Sequence, residues 1–344
     1  MNKMSKMKKL ALTLVTVLTV MNLAACAGSQ TEKSEAVETQ TAEEQVTVET
    51  EGVSSEEILT EENSSEDISS NEEITYPLTV TDSNGEEVEL AQEPQKVVSV
   101  APNLTEMMYA LGIGDRLVGR SDYCDYPSEA ADIQSVGTIS SPDIEMIISL
   151  EPDVVIVSTH FDEENTKKLE ELQIPVLTLY EEKDVTGVYD MITTLGQAMN
   201  CVEQAQTLVR DMQDTIAEVE EKVAGLETPS VYYVVGYGEY GDYTAGGDTF
   251  VGGMLTMAGG DNIAKDVSGW SITHEELIEA DPSIIIISEY MKSDFMSMEN
   301  YSELTAVKEG KVYTLDTNML DRQGYRNAEG IKALAEIFHP EVFE

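Results

Sequence analysis

Few side chains in this 344-residue chain have the types and spacing to do chemistry, and each implies a different reaction. The Cys26 thiol follows Leu23-Ala24-Ala25, whose small alanines fit a peptidase groove and leave a sulfur that can be acylated. His160, with Asp162, Glu163 and Glu164 beside it, is the candidate metal ligand. His160, His274 and His339 are the whole histidine supply, too few to hold bare zinc or manganese, so His274 and His339 read as structural and no resident metal is expected. Gly236-Tyr237-Gly238-Glu239-Tyr240-Gly241 satisfies GxGxxG directly after an apolar run, the spacing that cradles a pyrophosphate. Here DYTAGGD follows instead of a helix, and Glu239 and Asp242 would meet phosphate oxygens with like charge. The sequence contains no GxxxxGK[ST], HExxH or nucleophile-elbow motif. It reads as a chain without catalysis and without a cofactor of its own.

Cys26 acquires meaning from what precedes it. Lys3, Lys6, Lys8 and Lys9 form a basic start, and the uncharged run LALTLVTVLTVMN occupies residues 10 to 22. That run is shorter than the roughly 20 residues a permanent membrane span needs. The segment is similar to the lipobox of bacterial lipoproteins, in which the leader, here 1–25, is removed and the cysteine is lipidated as the first residue. The mature chain would then sit outside the cell, anchored by Cys26 to the outer face of the cytoplasmic membrane. The formal charge is −46, and removal of the leader takes four of the 20 basic residues and none of the 66 acidic ones. A chain this acidic excludes nucleic acid as a partner.

Residues 27 to 76 carry 15 acids against the single Lys33, with Tyr76 the only aromatic. Such a composition cannot bury a core, so 26–75 is expected to be a disordered tether spanning roughly 40 Å as a coil. Order is expected from residue 76 to 344. PLTVTDSNGEEVEL predicts a β-hairpin of 78–82 and 87–90 around Asn84-Gly85. Val97 to Val100 predicts a short strand, and Asn103 with Glu106 three residues on predicts a capping-box helix start, closed by Gly112. DVVIVS (153–158) and PVLTLY (175–180) are further buried strands alternating with helices, the pattern of an α/β parallel sheet. Val202, Ala205, Leu208, Val209, Met212, Ile216, Val219 and Val223 lie three or four apart on one stripe of a single helix over 202–223, roughly 33 Å long. The strand SVYYVVG (230–236) then restarts the alternation. Cys124 and Cys201 suggest no multi-bridge framework, and their pairing stays open.

The two sides of the long helix repeat one another. SPDIEMIISLEPDVVIVS (141–158) and SITHEELIEADPSIIIIS (271–288) share a helix, a Pro and an aliphatic strand, with Glu145 and Glu275 each seven residues before that Pro. ALGIGD (110–115) and MAGGD (257–261) each close a helix on Gly and continue with Asp. Two lobes of one topology, about 76–200 and 225–344, bridged by the helix at about 201–224, account for both repeats.

These features resemble the periplasmic-binding proteins of iron-chelate and cobalamin ABC importers. The resemblance rests on VVSVAPNLTEMMYALGIGDRLVG (97–119), SDYCDYP (121–127), the paired Glu-to-Pro units, AGGDNIA (258–264) and DRQGYRNAEGIKALAEIFHPE (321–341). It implies the class III fold: two α/β lobes with parallel sheets, one rigid bridging helix and a ligand cleft between the lobes. It also implies a monomeric receptor that delivers a small metal chelate to a permease and its ATPase, docking through Glu145 and Glu275. SDYCDYP is closest to the cobalamin branch, which implies that Tyr123 and Tyr126 line the cleft, with Trp270 as a second aromatic wall and Arg322 at the ligand edge. That branch carries further tryptophans where Ile139 and the loop Ser158 to Phe161 stand here, and Tyr237, Tyr240 and Tyr243 are the residues that would replace them. Heme or a ferric siderophore remains an alternative cargo, and a structural or adhesive surface lipoprotein is the alternative class.

Overall fold

The inner strands of both halves are almost wholly apolar, so each needs cover on both faces. The structure, a computed structural model describing residues 74–181 and 183–343, supplies that cover with helices. The leader, Cys26 and the tether up to residue 73 lie outside the described residues.

The first half opens with β1 (Leu78–Thr81) and β2 (Glu87–Leu90), the expected antiparallel hairpin, with Gly85 at φ 80° in its turn. Then come β3 (Val97–Ser99), α1 (Pro102–Ala110), β4 (Leu117–Arg120), α2 (Ile144–Ser149), β5 (Val154–Val157), α3 (Glu163–Glu171) and β6 (Val176–Thr178). After α4 (Val185–Ala198), the predicted long helix is α5 (Val202–Val223). The second half runs β7 (Ser230–Tyr233), β8 (Asp242–Tyr243), α6 (Phe250–Met257), β9 (Asp261–Asn262), β10 (Ser271–Ile272), α7 (His274–Ala280) and β11 (Ile284–Ile287). It ends with α8 (Glu289–Ser297), α9 (Glu299–Ser302), α10 (Thr305–Lys308), β12 (Val312–Thr314), α11 (Asn318–Asp321), α12 (Asn327–Phe338) and α13 (Pro340–Phe343).

Each half builds one four-stranded parallel sheet, β4-β3-β5-β6 and β9-β7-β11-β12. In chain order, the first strand of each parallel sheet pairs with that sheet's second and third, and the third with its fourth, so the two lobes share one topology. In both, strand order reverses beside the first strand, and α/β ligands bind outside the carboxyl ends of strands at such points.

Alternation along the strands sorts side chains between two layers. Val97, Val154, Ile156, Val231, Tyr233, Ile284 and Ile286 enter one core that runs through both lobes. Their neighbours enter separate outer cores, Val98, Val155 and Val157 in the first lobe and Tyr232, Ile285 and Ile287 in the second. Helix α5 joins the halves because its buried residues Ala205, Met212, Ile216 and Val219 belong to that shared core, where α4 and α12 pack against it.

The glycine helix ends hold: Gly112 and Gly259 follow α1 and α6 at φ 75° and 82°. The capping-box start does not. Helix α1 begins at Pro102 behind Ala101, with no side-chain cap, and Asn103 instead donates to the Gln323 carbonyl at 2.9 Å. Glu106 is buried and faces the other lobe. Cys124 and Cys201 are both free and buried, and burial pushes the Cys201 thiol up to about 11.

A core continuous through both lobes should unfold as one unit. Met212→Ala is expected to cost about 2–5 kcal/mol and to shift urea midpoints read by far-ultraviolet circular dichroism and by Trp270 fluorescence together; two separated transitions would contradict a shared core.

Candidate functional site

The loop after β4 carries Tyr123 and Tyr126, and a buried polar knot holds it from beneath. Thr105 Oγ1 donates to Ser99 Oγ at 2.8 Å and lies 3.1 Å from Cys124 Sγ, while Ser121 Oγ lies 3.2 Å from Cys124 Sγ. The backbone N–H of Asp122 reaches the Gly137 carbonyl at 2.8 Å. With its underside fixed, the loop presents both tyrosine rings outward, Tyr123 at 54% and Tyr126 at 43% exposure.

Across from this loop, the segment following β12 brings Arg322 and Arg326. Asn327, fully buried, clamps it by donating to the carbonyls of Met319 (2.9 Å) and Arg322 (3.0 Å) and accepting from the Gly324 N–H (2.7 Å). Tyr233 adds a hydrogen bond from its hydroxyl to Asp321 at 2.8 Å, and burial raises the Asp321 carboxyl above its usual range.

The two loops meet at Glu106. Arg322 Nη1 lies 2.6 Å from Glu106 Oε1 and 2.8 Å from Asp125, and Arg322 Nη2 reaches the Tyr123 carbonyl at 3.4 Å. Arg326 Nη1 lies 3.5 Å from Glu106 Oε2, its Nη2 pairs with Asp316, and its guanidinium sits 4.2 Å from the centre of the Tyr126 ring. Burial pushes the Glu106 carboxyl up, against the pull of the two guanidiniums. Tyr123, Tyr126 and Arg322 are therefore gathered at one place, and Arg322 is already tied to two of the protein's own carboxylates.

The remaining aromatic candidates belong to the second lobe. The β8–β10 ribbon pairs Tyr243 with Ser271, and the Thr244 N–H donates to the Trp270 carbonyl at 3.0 Å. Trp270 is 45% exposed, Tyr243 40% and Tyr240 86%. The loop between β7 and β8 is anchored by buried Asp242, which accepts from Tyr301 Oη at 2.6 Å and bonds His274 Nδ1 at 3.0 Å. Tyr301 Oη in turn accepts from the Gly238 N–H at 2.9 Å. Tyr237 belongs to this anchor: its hydroxyl donates to Asp294 at 2.9 Å, and its ring meets Phe295 and Tyr301 edge-on. The GxGxxG segment thus closes on itself, Gly241 N–H to the Gly238 carbonyl, and feeds the short strand β8.

His160 is exposed, and its Nδ1 hydrogen-bonds the neighbouring Thr159 hydroxyl at 2.9 Å. Asp162 caps α3, while Glu163 and Glu164 pair with Lys167 and Lys168. Among the described residues no three His, Cys, Asp or Glu side chains converge on a metal position. Glu145 and Glu275 each stand second in their helices, α2 and α7, both exposed and, among the described residues, without an ion pair or hydrogen bond. His339 is structural, bonding the Gly259 carbonyl at 3.0 Å.

Four residues here were not singled out for the site from sequence: Glu106, Asp125, Arg326 and Tyr290. Glu106 has the spacing of a helix cap, and Asp125 lies inside SDYCDYP between the tyrosines. Arg326 follows Arg322 by four, a spacing that places two cations on one side of a turn. Tyr290, 83% exposed, stands just beyond the carboxyl end of β11, next to β7 where strand order reverses.

Residues 97–319 match a family model described as periplasmic binding protein. A Bacillus subtilis ABC transporter substrate-binding lipoprotein, itself uncharacterised, is 32% identical over 277 residues, spanning 78% of this chain and 88% of that one. A cobalamin-binding protein of Halobacterium salinarum is 28% identical over 281 residues, covering 77% of this chain and 75% of that one. The solved structure of a periplasmic heme-binding protein from Pseudomonas aeruginosa matches with a TM-score of 0.65 at 25% identity, covering 72% of this chain and 94% of that one.

Removing Glu106 leaves two guanidiniums facing each other without their shared counter-charge. Glu106→Ala should cost about 3–5 kcal/mol in urea denaturation, and Glu106→Gln, which keeps an acceptor, less. Because burial raises the Glu106 pKa, the cost of holding it ionised is present above that folded value and is relieved as pH falls through it. A carboxyl ¹³C titration should accordingly show Glu106 protonating at higher pH than exposed glutamates.

Proposed function

The chain belongs to the periplasmic binding protein family and carries its two-lobed class III fold, and on that premise we propose that it is the extracytoplasmic receptor of an ABC importer, capturing a corrinoid and delivering it to the permease and its ATPase. The observation that carries this reading is the gathering of Tyr123, Tyr126 and Arg322 on loops from both lobes at the carboxyl ends of their strands. A corrin is a broad, largely apolar plate with polar edges, so it needs flat aromatic walls and a few fixed hydrogen-bonding groups. Tyr123, Tyr126 and Trp270 offer exposed rings, with Tyr243 on β8 beside Trp270 and Tyr240 on the loop before it. Tyr237 shapes that loop. The similarity to a cobalamin-binding protein supports this cargo; the similarity to a heme-binding structure makes heme the second reading.

In this reading Cys26 is lipidated and the acidic segment 26–75 tethers a monomeric domain to the outer face of the cytoplasmic membrane. Tethering raises the local concentration of the receptor at its transporter. Glu145 and Glu275, one per lobe at matching helix positions with unpaired carboxylates, are the docking contacts to basic pockets of the permease. Two matched charges set register as well as encounter rate.

Titrating the purified domain with cyanocobalamin, hemin and a ferric siderophore while following Trp270 fluorescence should give one saturating 1:1 curve with the corrinoid. Tyr123→Ala by the same readout, and Trp270→Ala by calorimetry because it removes the chain's single tryptophan, should each weaken binding about tenfold. Saturation by hemin alone, with a shifted absorption band, replaces the corrinoid by heme; no binding at all would favour an adhesive surface role. Glu145→Arg with Glu275→Arg should abolish stimulation of the transporter ATPase and leave ligand affinity unchanged, whereas lost ligand binding would put those residues in the cleft.

A further inference from the structure

Arg322 is neutralised twice, once by buried Glu106 and once by Asp125, and these two carboxylates differ in kind. Glu106 is 4% exposed and shared with Arg326, so it is fixed. Asp125 is 65% exposed at the rim of the cluster, 2.8 Å from Arg322 Nη1. We infer that Asp125 is a specificity-determining residue, which with Arg322 forms a donor–acceptor pair that takes a carboxamide at the ligand edge and turns away a carboxylate. This rests on the receptor reading above and narrows the cargo by its edge groups.

The chemistry follows from the inventory of donors and acceptors. A primary carboxamide has a carbonyl that accepts from a guanidinium N–H and an NH₂ that donates to a carboxylate, so it can satisfy Arg322 and Asp125 together. A ligand carboxylate can only accept. Accepting from the same guanidinium, it stands beside both Asp125 and Glu106, and like charges so placed are repelled. The surrounding charge gives it no help: Glu106, Asp125 and Asp316 face Arg322 and Arg326, three acids against two cations. Because Asp125 is exposed, that repulsion is screened by salt, whereas a purely steric preference is not.

The test compares cyanocobalamin, whose corrin rim carries carboxamides, with its monocarboxylic acid, in which one peripheral amide is hydrolysed. Hemin is compared in parallel with its bis-propionamide. The wild-type domain should bind each amide about tenfold more tightly than the matching acid. Asp125→Asn should bring that ratio to about twofold by gaining affinity for the acid, and raised salt should shrink the wild-type ratio but not that of the variant. Equal wild-type affinities for amide and acid would overturn the inference. So would an Asp125→Asn variant, folded by its melting curve, that loses both ligands by the same factor, since Asp125 would then only hold Arg322 in place. If corrinoids fail to bind and the hemin pair binds, the corrinoid reading falls and the inference is decided on that pair: preference for the bis-propionamide sustains it, preference for hemin sinks it. A domain that binds none of the four ligands removes both.

Discussion

One buried carboxylate holds the business end of this protein together. Glu106 rises from the first helix of one lobe, and its two oxygens reach two arginines on a segment 216 to 220 residues further along the chain. An ionised group of this kind is tolerated only when fully paired. Pairing it demands that both loops be rigid, and the surrounding polar contacts can be understood as that requirement. Thr105, Ser99 and Ser121 stiffen the Tyr123–Tyr126 loop around Cys124, while Asn327 and Tyr233 stiffen the arginine segment. A hydrogen bond of ordinary strength contributes little alone; here each fixes a loop whose displacement would strand a charge.

That rigidity has to be referred to a common frame, and the shared hydrophobic core is the frame. The strands of both sheets alternate their side chains between an outer core private to each lobe and an inner one common to both. Through α5 and α12 the inner core ties the sheet behind Glu106 to the sheet behind the arginines. The lobes differ where the second one inserts the β8–β10 ribbon. This insertion carries Tyr243 and borders Trp270, so the departure from the repeated topology is also what brings the tryptophan to its loop. Asp242, buried and bonded to both Tyr301 and His274, roots the ribbon in the outer core.

Much of this frame was legible in the sequence, because hydrophobic periodicity encodes it locally. The helix 202–223 is legible to its ends, since its apolar stripe starts and stops with it. The hairpin, the glycine-closed helices and the paired Glu-to-Pro units likewise depend on neighbours within a few residues. Glu106 escapes a local reading for the complementary reason. Asn103 and Glu106 have the spacing of a capping box, and nothing within ten residues distinguishes a glutamate that bonds its own helix from one that crosses to another lobe. The same blindness hid Arg326 and Asp125. Tyr237 shows the limit from the other side: it lies on the loop expected, but its hydroxyl bonds Asp294 and its ring packs on Phe295 and Tyr301, which no local pattern foretells. Strand ends were also overrun, as at 230–236, where the ladder stops at Tyr233 because the chain turns away to form the glycine loop.

The chain's overall charge and the charge of its arginine cluster point the same way. At −46 the molecule is surrounded by a negative potential that discourages anions before they make contact. A receptor for an anionic cargo would be expected to offset this with a locally basic cleft. Arg322 and Arg326 are instead matched by Glu106, Asp125 and Asp316, so among the described residues this cluster carries no excess of cation. Arg322 and Arg326 thus act first as polar scaffolding, rigid donors held in fixed directions by carboxylates. Fixed donors beside fixed acceptors suit a neutral ligand with both functions at its edge, because such a ligand satisfies them without bringing a charge that the rest of the molecule would repel.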